Sequence, residues 1–218
     1  MMSNLLGFIL LLPVLLLSMV AHEVAHGAVA HRLGDPTAKE HGRLTANPLK
    51  HLDPLGTLMF AITYFAGGFI FGWAKPVPVN AGYFRDHQRG MMFVGLAGPL
   101  TNFLIAVVLA GILNLMAPAA SSLAALRGGS VLLQALFLGF QVNVVLGIFN
   151  LVPIPPLDGS RVIAGFMSPA TYVRWAGLDR YGMLFILVIF FVFQRPFFSL
   201  LSGGFRLVSR LLLPAYGF

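Results

Sequence analysis

Two histidines four residues apart, with a glutamate after the first, are the residues of this chain most suited to chemistry. They are His22, Glu23 and His26, and they lie near the end of a long apolar segment. Residues four apart share one face of a helix, so both imidazoles can reach one metal ion while the glutamate sits beside it. This HExxH pattern is typical of zinc hydrolases.

The apolar setting of the pattern indicates a membrane. No charged side chain precedes Glu23, and residues 4–20 are almost wholly apolar. An ionisable cluster at the end of a membrane-length segment is costly to insert, so it marks a functional site. We therefore expect a metal centre inside a bilayer.

The composition of the chain favours the same class of protein. Hydrophobic residues make up 58% and charged residues 10% of 218 residues, and the mean hydropathy is +0.86. This is too little polar surface for a soluble domain, so we predict an all-α polytopic membrane protein with a single domain over residues 1–218. The net charge of +7 comes from scattered basic residues, so no nucleic-acid partner is expected. The chain has no cysteine, so a zinc ion would need histidine and carboxylate ligands.

Further apolar runs predict the membrane elements that must position the histidines. They cover residues 54–73, 90–126 and 128–157, and C-terminal membrane segments are expected within 181–213. The tail is compatible with one more crossing or with an interfacial helix. Glycine and proline in the connections are typical of turns and short strands at the interface.

A third metal ligand is needed, because a catalytic zinc ion normally takes three protein ligands and a water. The histidine of the soluble HExxHxxGxxH pattern does not fit, since Gly27 and His31 stand at the wrong offsets. Of the seven carboxylates, five lie in polar connections, which leaves Glu23 and Asp158 as candidates. Asp158 follows a helix end broken by three prolines and could complete a His, His, Asp site.

The two motifs together resemble those of the site-2 proteases, which are intramembrane zinc metalloproteases. The first is the HEVAH sequence at His22, and the second is the NLVPIPPLDG sequence that runs from Asn150 to Gly159. They occur in the family's order, each at the end of a predicted membrane helix, within a core of residues 4–160. The resemblance is to the minimal subgroup without a PDZ or nucleotide-binding domain. It implies a helical core with short interfacial or membrane-dipping strands and a re-entrant segment.

The resemblance also implies the activity and the roles of the site residues. His22, His26 and Asp158 would bind one Zn²⁺ ion per chain, and Glu23 would be the general base that activates a water. Asn150 and Asn102 are assigned to substrate binding, although Asn150 could merely cap its broken helix and Asn102 could join membrane helices by a hydrogen bond. The expected partners are a transmembrane protein or peptide substrate and the lipid bilayer. The expected location is the cell inner membrane, with several crossings.

One ion can contact both motifs only if their two helices run in the same direction. The apolar run at 91–116 crosses once between them, so residues 54–73 must return to their starting side. We therefore predict that residues 54–73 form a re-entrant segment or a tight helical pair, with the bend at Gly67-Gly68. The distribution of Lys and Arg agrees with this topology. The connections predicted to be cytosolic contain four in residues 32–53, three in 75–89 and three in 158–180, whereas the predicted external connection has only Arg127. The active site is thus expected toward the cytosolic side.

A transmembrane substrate must unwind before its peptide bond can be attacked. In an extended segment at residues 74–80, Pro76 and Pro78 leave one edge without donors. Lys75, Val77 and Val79 would keep a pairing edge for an unwound substrate.

Two functions of other classes are alternatives. A metal or ion transporter would not need a base beside its ligands. A catalytically silent pseudoprotease would be expected to carry altered motifs.

Overall fold

A computed structural model of the chain describes residues 2–66, 72–116, 126 and 129–218, and helices make up most of them. This confirms the all-α fold class. In chain order the α-helices of this part are α1 (Met2–Arg32), α2 (Thr37–Glu40), α3 (Pro54–Ala66), α4 (His87–Met116), α5 (Val131–Leu151), α6 (Asp158–Ala164), α7 (Pro169–Ala176), α8 (Gly182–Phe191) and α9 (Gln194–Leu212).

Three of the described helices, α1, α4 and α5, are long and apolar enough to cross a bilayer. The stretch from Pro169 to Phe191 meets α9 at 87°, and by length and composition the pair is either a fourth, broken span or a re-entrant loop. The chain is therefore a polytopic membrane protein.

Helices α1, α4 and α5 form the central bundle. Val14 and Ser18 of α1 lie against Gly139 and Asn143 of α5, in the same order along both helices. Helix α1 therefore runs parallel to α5. Against α4 the order is reversed, since His26 contacts Val94 while Ser18 contacts Asn102. The parallel direction predicted for the two motif-bearing helices is confirmed, and their ends meet on one side of the bundle.

Helix α3 lies against the first part of α1, where the rings of Phe60 and Tyr64 pack on Phe8, and the chain then returns to the side where it began. The Asp53 side chain accepts a hydrogen bond from the Gly56 N–H (2.8 Å) and so starts the helix. On the return, a Cβ atom at Gly56 would collide with the carbonyl of Trp73, and the Lys75 N–H donates to the His51 carbonyl (2.8 Å). The beginning and the end of residues 54–73 therefore lie side by side, as a re-entrant segment requires. The bend predicted at Gly67-Gly68 lies outside the described residues.

The strands expected in the connections are not found in the described part of the chain. At residues 75–80, backbone groups bond to the chain itself in place of a neighbouring strand. Arg43 donates to the carbonyls of Lys75 (2.6 Å) and Pro76 (3.3 Å), and Val77 N–H donates to Glu23 (2.8 Å). The predicted pairing edge is therefore wrong for two of its three donors, because the N–H groups of Lys75 and Val77 are already engaged.

The C-terminal part runs back along the bundle. Near the end of the bundle where the two motifs meet, Ile186 and Phe197 pack with Val152 and Leu157, which belong to the stretch that follows α5. Further along α9, Gly204 lies against Ile148.

At the opposite end of the bundle, the ring of Phe218 is 6.0 Å from that of Phe137. The Tyr216 hydroxyl donates to the carbonyl of Leu113 near the end of α4. Helix α9 is thus antiparallel to α5, which favours the crossing over the interfacial alternative for the tail.

Candidate metal centre

Three predicted ligand atoms lie about equally far from one another at the end of the bundle. The Nε2 atoms of His22 and His26 are 2.9 Å apart. Asp158 Oδ2 lies 3.0 Å from the first and 3.1 Å from the second. All three residues are buried, with between 5 and 7% of their surface exposed. The structure therefore brings together residues that are 136 or 132 positions apart in the sequence.

Local structure explains how each ligand reaches this point. His22 and His26 stand one turn apart on α1, while Asp158 is the first residue of α6, just after the prolines that end α5. A Cβ atom at Gly159 would collide with the carbonyl of Leu151. A glycine after Asp158 therefore allows α6 to start directly against the end of α5.

Helix α4 approaches the ligands so closely that one of its residues must lack a side chain. A Cβ atom at Gly98 would lie 2.5 Å from His22 Nε2 and 2.6 Å from His26 Nε2. That position is occupied by hydrogen alone. The space beside the two ligand nitrogens is therefore kept open by the sequence Gly98-Pro99.

The opposite nitrogen of each histidine bonds to an oxygen acceptor. His22 Nδ1 lies 2.6 Å from Asn102 Oδ1, and His26 Nδ1 lies 2.6 Å from the Val94 carbonyl. An acceptor at Nδ1 places the proton there and leaves the Nε2 lone pair facing the other ligands, as metal-binding histidines require.

The arrangement fits a zinc ion. Zinc bonds of about 2.0–2.1 Å to nitrogen and oxygen give ligand separations of about 3.3 Å in a tetrahedral site, close to the three separations found here. Two imidazoles and one carboxylate are a common catalytic ligand set, and three protein ligands leave a fourth position for water.

Glu23 lies beside the ligands and has a fixed contact. Its Oε2 accepts the Val77 N–H at 2.8 Å, and the side chain is partly exposed to a cavity. The carboxylate is therefore positioned next to His22 without joining the ligand cluster.

An apolar cavity of about 800 Å³ opens next to His22 and Glu23. Its walls come from α1, the re-entrant segment, α5, α8 and α9, and Asn150 is one of its few polar residues. The Asn150 Nδ2 donates to the Leu146 carbonyl (3.0 Å), which is an interaction within α5. Asn102 is fully buried against His22 and does not line this cavity. The assignment of both asparagines to substrate binding stays a prediction.

Several residues that hold the site were not identified from the sequence. Ser18 and Asn143 are buried polar residues in membrane helices, and that property alone could have marked them. Arg43 and Asp35 are buried in the connections, where charged residues usually lie in water. Nothing in the sequence distinguishes them from exposed neighbours.

Similarity to known proteins agrees with the geometry. The family model described as Peptidase family M50 matches residues 9–192. The chain belongs to peptidase family M50. The resemblance to site-2 proteases is thereby confirmed, and no solved structure matches the chain.

Relatives of this M50 chain carry names of the same kind. "Putative zinc metalloprotease YwhC" of Bacillus subtilis (strain 168) is 42% identical over 177 residues, or 81% of this chain and 77% of that protein. "Putative zinc metalloprotease Rip2" of Mycolicibacterium smegmatis is 33% identical over 218 residues, or 96% and 79%. "Putative zinc metalloprotease MJ0611" of Methanocaldococcus jannaschii is 29% identical over 147 residues, or 66% and 63%.

Within the described residues of this M50 chain, His22, His26 and Asp158 are the one group of three or more side chains close enough to hold a metal ion. Family membership implies zinc, and this cluster is therefore the candidate zinc site of the protein.

Proposed function

We propose that the protein is an intramembrane zinc endopeptidase that hydrolyses peptide bonds within transmembrane substrates. One observation carries the proposal. The ligand atoms of His22, His26 and Asp158 converge within about 3 Å of one another, beside a carboxylate and an apolar cavity. One zinc ion would bind per chain, in a single domain embedded in the cell inner membrane with its active site toward the cytosol.

The chemistry requires an activated water and a base. Zinc bound by the three ligands would supply Lewis acidity and lower the pKa of water toward about 7. Glu23 would accept the proton of the attacking water and later pass it to the leaving amine. The Val77 N–H holds one oxygen of this carboxylate, so the other oxygen remains available for the proton. No covalent intermediate is needed.

Substrate binding would use the cavity. Its apolar walls suit the side chains of a membrane segment, and Asn150 would donate its side-chain amide to a substrate carbonyl or to the developing oxyanion. A donor in this role contributes about 3 kcal/mol to transition-state stabilisation. To do so, Asn150 must exchange its bond to the Leu146 carbonyl for one to the substrate.

The test uses purified protein in detergent micelles, with zinc measured by mass spectrometry. The substrate probe is a set of synthetic single-span peptides whose apolar segments contain a helix-breaking Gly-Pro step. We expect one zinc per chain and cleavage within the apolar segment. Glu23→Gln should lower the cleavage rate at least about 100-fold while zinc remains, and Asp158→Ala should lose zinc.

Glu40→Gln is the matched control, because Glu40 is an exposed residue outside the site. Its zinc content and its cleavage rate should equal those of the wild type. Full cleavage by the Glu23→Gln variant would reject the assigned base, and unchanged zinc in the Asp158→Ala variant would reject the third ligand. A wild-type chain that binds no zinc would reject the proposal as a whole.

A further inference from the structure

A chain of buried hydrogen bonds leads from His22 into the centre of the bundle. We propose that Ser18, Asn102 and Asn143 are positioning residues that fix the proton of His22 on Nδ1 and so keep its Nε2 free for the metal. This proposal rests on the proposed zinc site. It assigns a joint role to three residues of three different membrane helices.

The chain of bonds can be followed from one helix to the next. Asn102 Oδ1 lies 2.6 Å from His22 Nδ1. Asn102 Nδ2 donates to Asn143 Oδ1 at 2.9 Å, and Asn143 Nδ2 donates to Ser18 Oγ at 2.9 Å. The Ser18 hydroxyl in turn donates to the Val14 carbonyl at 2.8 Å. The side chains lie among apolar helices, and Ser18, Asn102 and Asn143 are at most 4% exposed.

Backbone carbonyls determine the direction of every bond in this chain. The Val14 carbonyl can only accept, so the Ser18 hydroxyl must donate to it and must accept from Asn143. The Gly139 carbonyl accepts a second hydrogen from Asn143 Nδ2 (2.8 Å), which fixes the orientation of that amide. Asn143 therefore presents its oxygen to Asn102.

The same logic continues to the metal ligand. Asn102 must turn its NH₂ group toward Asn143 Oδ1, where a second hydrogen also reaches the Ser18 carbonyl (3.4 Å). Its oxygen is then left facing His22, so His22 Nδ1 must carry the proton. If Asn102 were flipped, its NH₂ group would face Nδ1 and drive the proton to Nε2, where it would block the metal.

The second histidine shows why His22 needs such a chain. His26 Nδ1 bonds to the Val94 carbonyl, a backbone acceptor that cannot donate. Its proton position is therefore determined by one contact. Asn102 can act as donor or acceptor, so the preference of His22 depends on what holds the amide of Asn102 in place.

A simpler role for these residues is to join the helices. Hydrogen bonds between polar side chains stabilise membrane bundles, and this role alone predicts lower stability without any specific effect on the metal. Asn114 provides the matched control, because it is on the same helix as Asn102 and its Nδ2 donates to the Leu212 carbonyl (2.7 Å) far from the site. The two roles therefore make different predictions.

The decisive experiment compares Asn143→Leu with Asn114→Leu in the purified full chain. Zinc affinity is measured by competition with a chelator, the cobalt-substituted protein by its visible absorption, and stability by thermal unfolding of the metal-free form. We expect about 10- to 100-fold weaker zinc binding and an altered cobalt spectrum for Asn143→Leu. Asn114→Leu should lose stability and keep the affinity and the spectrum of the wild type.

Two further variants keep the test decisive if Asn143→Leu does not fold. Ser18→Ala removes the end of the chain and should weaken zinc binding several-fold. In Asn102→Asp, an ionised carboxylate can only accept, so it would still keep the proton of His22 on Nδ1. This variant should therefore bind zinc more tightly than Asn102→Leu, which offers no acceptor. Wild-type zinc affinity in Asn143→Leu or Ser18→Ala, or an equal loss in Asn114→Leu, would overturn the proposal. If the wild type itself bound no zinc, the proposed function would fail first, which separates the two failures.

Discussion

A residue without a side chain keeps space open beside the two histidines at the centre of this protein. Gly98 is the clearest case, because any side chain at this position would collide with the Nε2 atoms of both His22 and His26. Alanine is intrinsically the better helix former. The presence of glycine here is therefore explained by the site and not by the helix.

Gly98→Ala should consequently damage the metal site without weakening the intrinsic preference of α4 for helix. We expect zinc binding about ten-fold weaker or worse, since both imidazoles must shift to admit the new methyl group. The measurements are chelator competition and the rate of peptide cleavage.

Gly111→Ala is the control within the same helix, because a Cβ atom there meets no atom of the described residues within 4 Å. This variant should keep its zinc affinity and gain up to about 1 kcal/mol in stability. If Gly98→Ala bound zinc as well as Gly111→Ala does, close approach of α4 would not be what selects glycine.

For individual residues, the sequence predicts the candidate metal ligands better than it predicts the residues that hold them in place. His22 and His26 are recognisable because a helix places residues four apart on one face, which is a local property. Asp158 follows from the scarcity of carboxylates near apolar runs. Asn143, by contrast, meets Ser18 from 125 residues away, and only the packing of α1 against α5 reveals that contact.

Among the structural elements, the return segment after α3, residues 75–80, is the one that connects the surface with Glu23, the proposed base. Buried charged side chains hold it at two points, Arg43 on the carbonyls of Lys75 and Pro76, and Asp35 on the Asn80 N–H (2.7 Å). Between these points the Val77 N–H contacts Glu23. The position of the proposed base therefore depends on both anchors.

Removing the first anchor should affect catalysis more than metal binding. In Arg43→Gln the segment loses hydrogen bonds from a charged group, which are worth about 2 kcal/mol, and Val77 is free to leave Glu23. We expect a lower cleavage rate, a lower thermal midpoint and an unchanged zinc content.

Arg89→Gln is the comparison for a loss of charge alone, because Arg89 is exposed and forms a surface ion pair with Asp86. It should behave as the wild type in cleavage rate and thermal midpoint. Loss of zinc in Arg43→Gln would show that this anchor supports the metal ligands as well, and not Glu23 alone.

The second anchor should make stability depend on pH. Burial raises the pKa of Asp35, but hydrogen bonds from Thr37 and from the Asn80 backbone N–H outweigh it, and the pKa lies below its ordinary value. A carboxylate with a lowered folded-state pKa stabilises the protein above its unfolded pKa of about 3.9, and this contribution is lost as the pH falls through the folded value.

Asp35→Asn cannot titrate and tests this directly. Thermal unfolding from pH 7 down to pH 3 should show a large difference between wild type and variant at pH 7 that shrinks below about pH 4. Effects on the metal ligands occur in both proteins and cancel in the difference. A difference that stays constant over this pH range would contradict the role of the Asp35 charge.

The elements themselves were predictable to different degrees. Apolar length predicts α1, α4 and α5, and the need for parallel motif helices predicts the return of residues 54–73. The strands in the connections were not predictable in the same way, since a strand exists only where a partner accepts its hydrogen bonds. Here side chains bond to the backbone of the segment, at the carbonyls of Lys75 and Pro76 and at the N–H groups of Val77 and Asn80. The segment therefore does not need a partner strand.

For the molecule as a whole, the directions of the helices determine which connections share a side of the membrane. The ends of α1 and α5 meet at the candidate metal site, while α4 and α9 run the opposite way. The connection that follows α1 and helices α6 and α7, which follow Asp158, thus lie on one side. Residues 129–130, directly before α5, and the residues after α9 lie on the other, where Tyr216 reaches the carbonyl of Leu113.

Labelling of single cysteines can check this arrangement, because the natural chain contains none. Cysteines replacing Lys39 and Ala170 are expected on the cytosolic side. They should react with a membrane-impermeant maleimide only after the inner membrane has been made permeable. Those replacing Gly129 and Ala215 should react in intact cells whose outer membrane has been made permeable. The pair at Lys39 and Ala170 tests the meeting of the ligand helices, and Ala215 tests whether α9 completes a crossing. A label pattern that placed Ala170 opposite Lys39 would be incompatible with one metal ion bound by both motifs, whereas Ala215 on the side of Lys39 would contradict only the path of the tail.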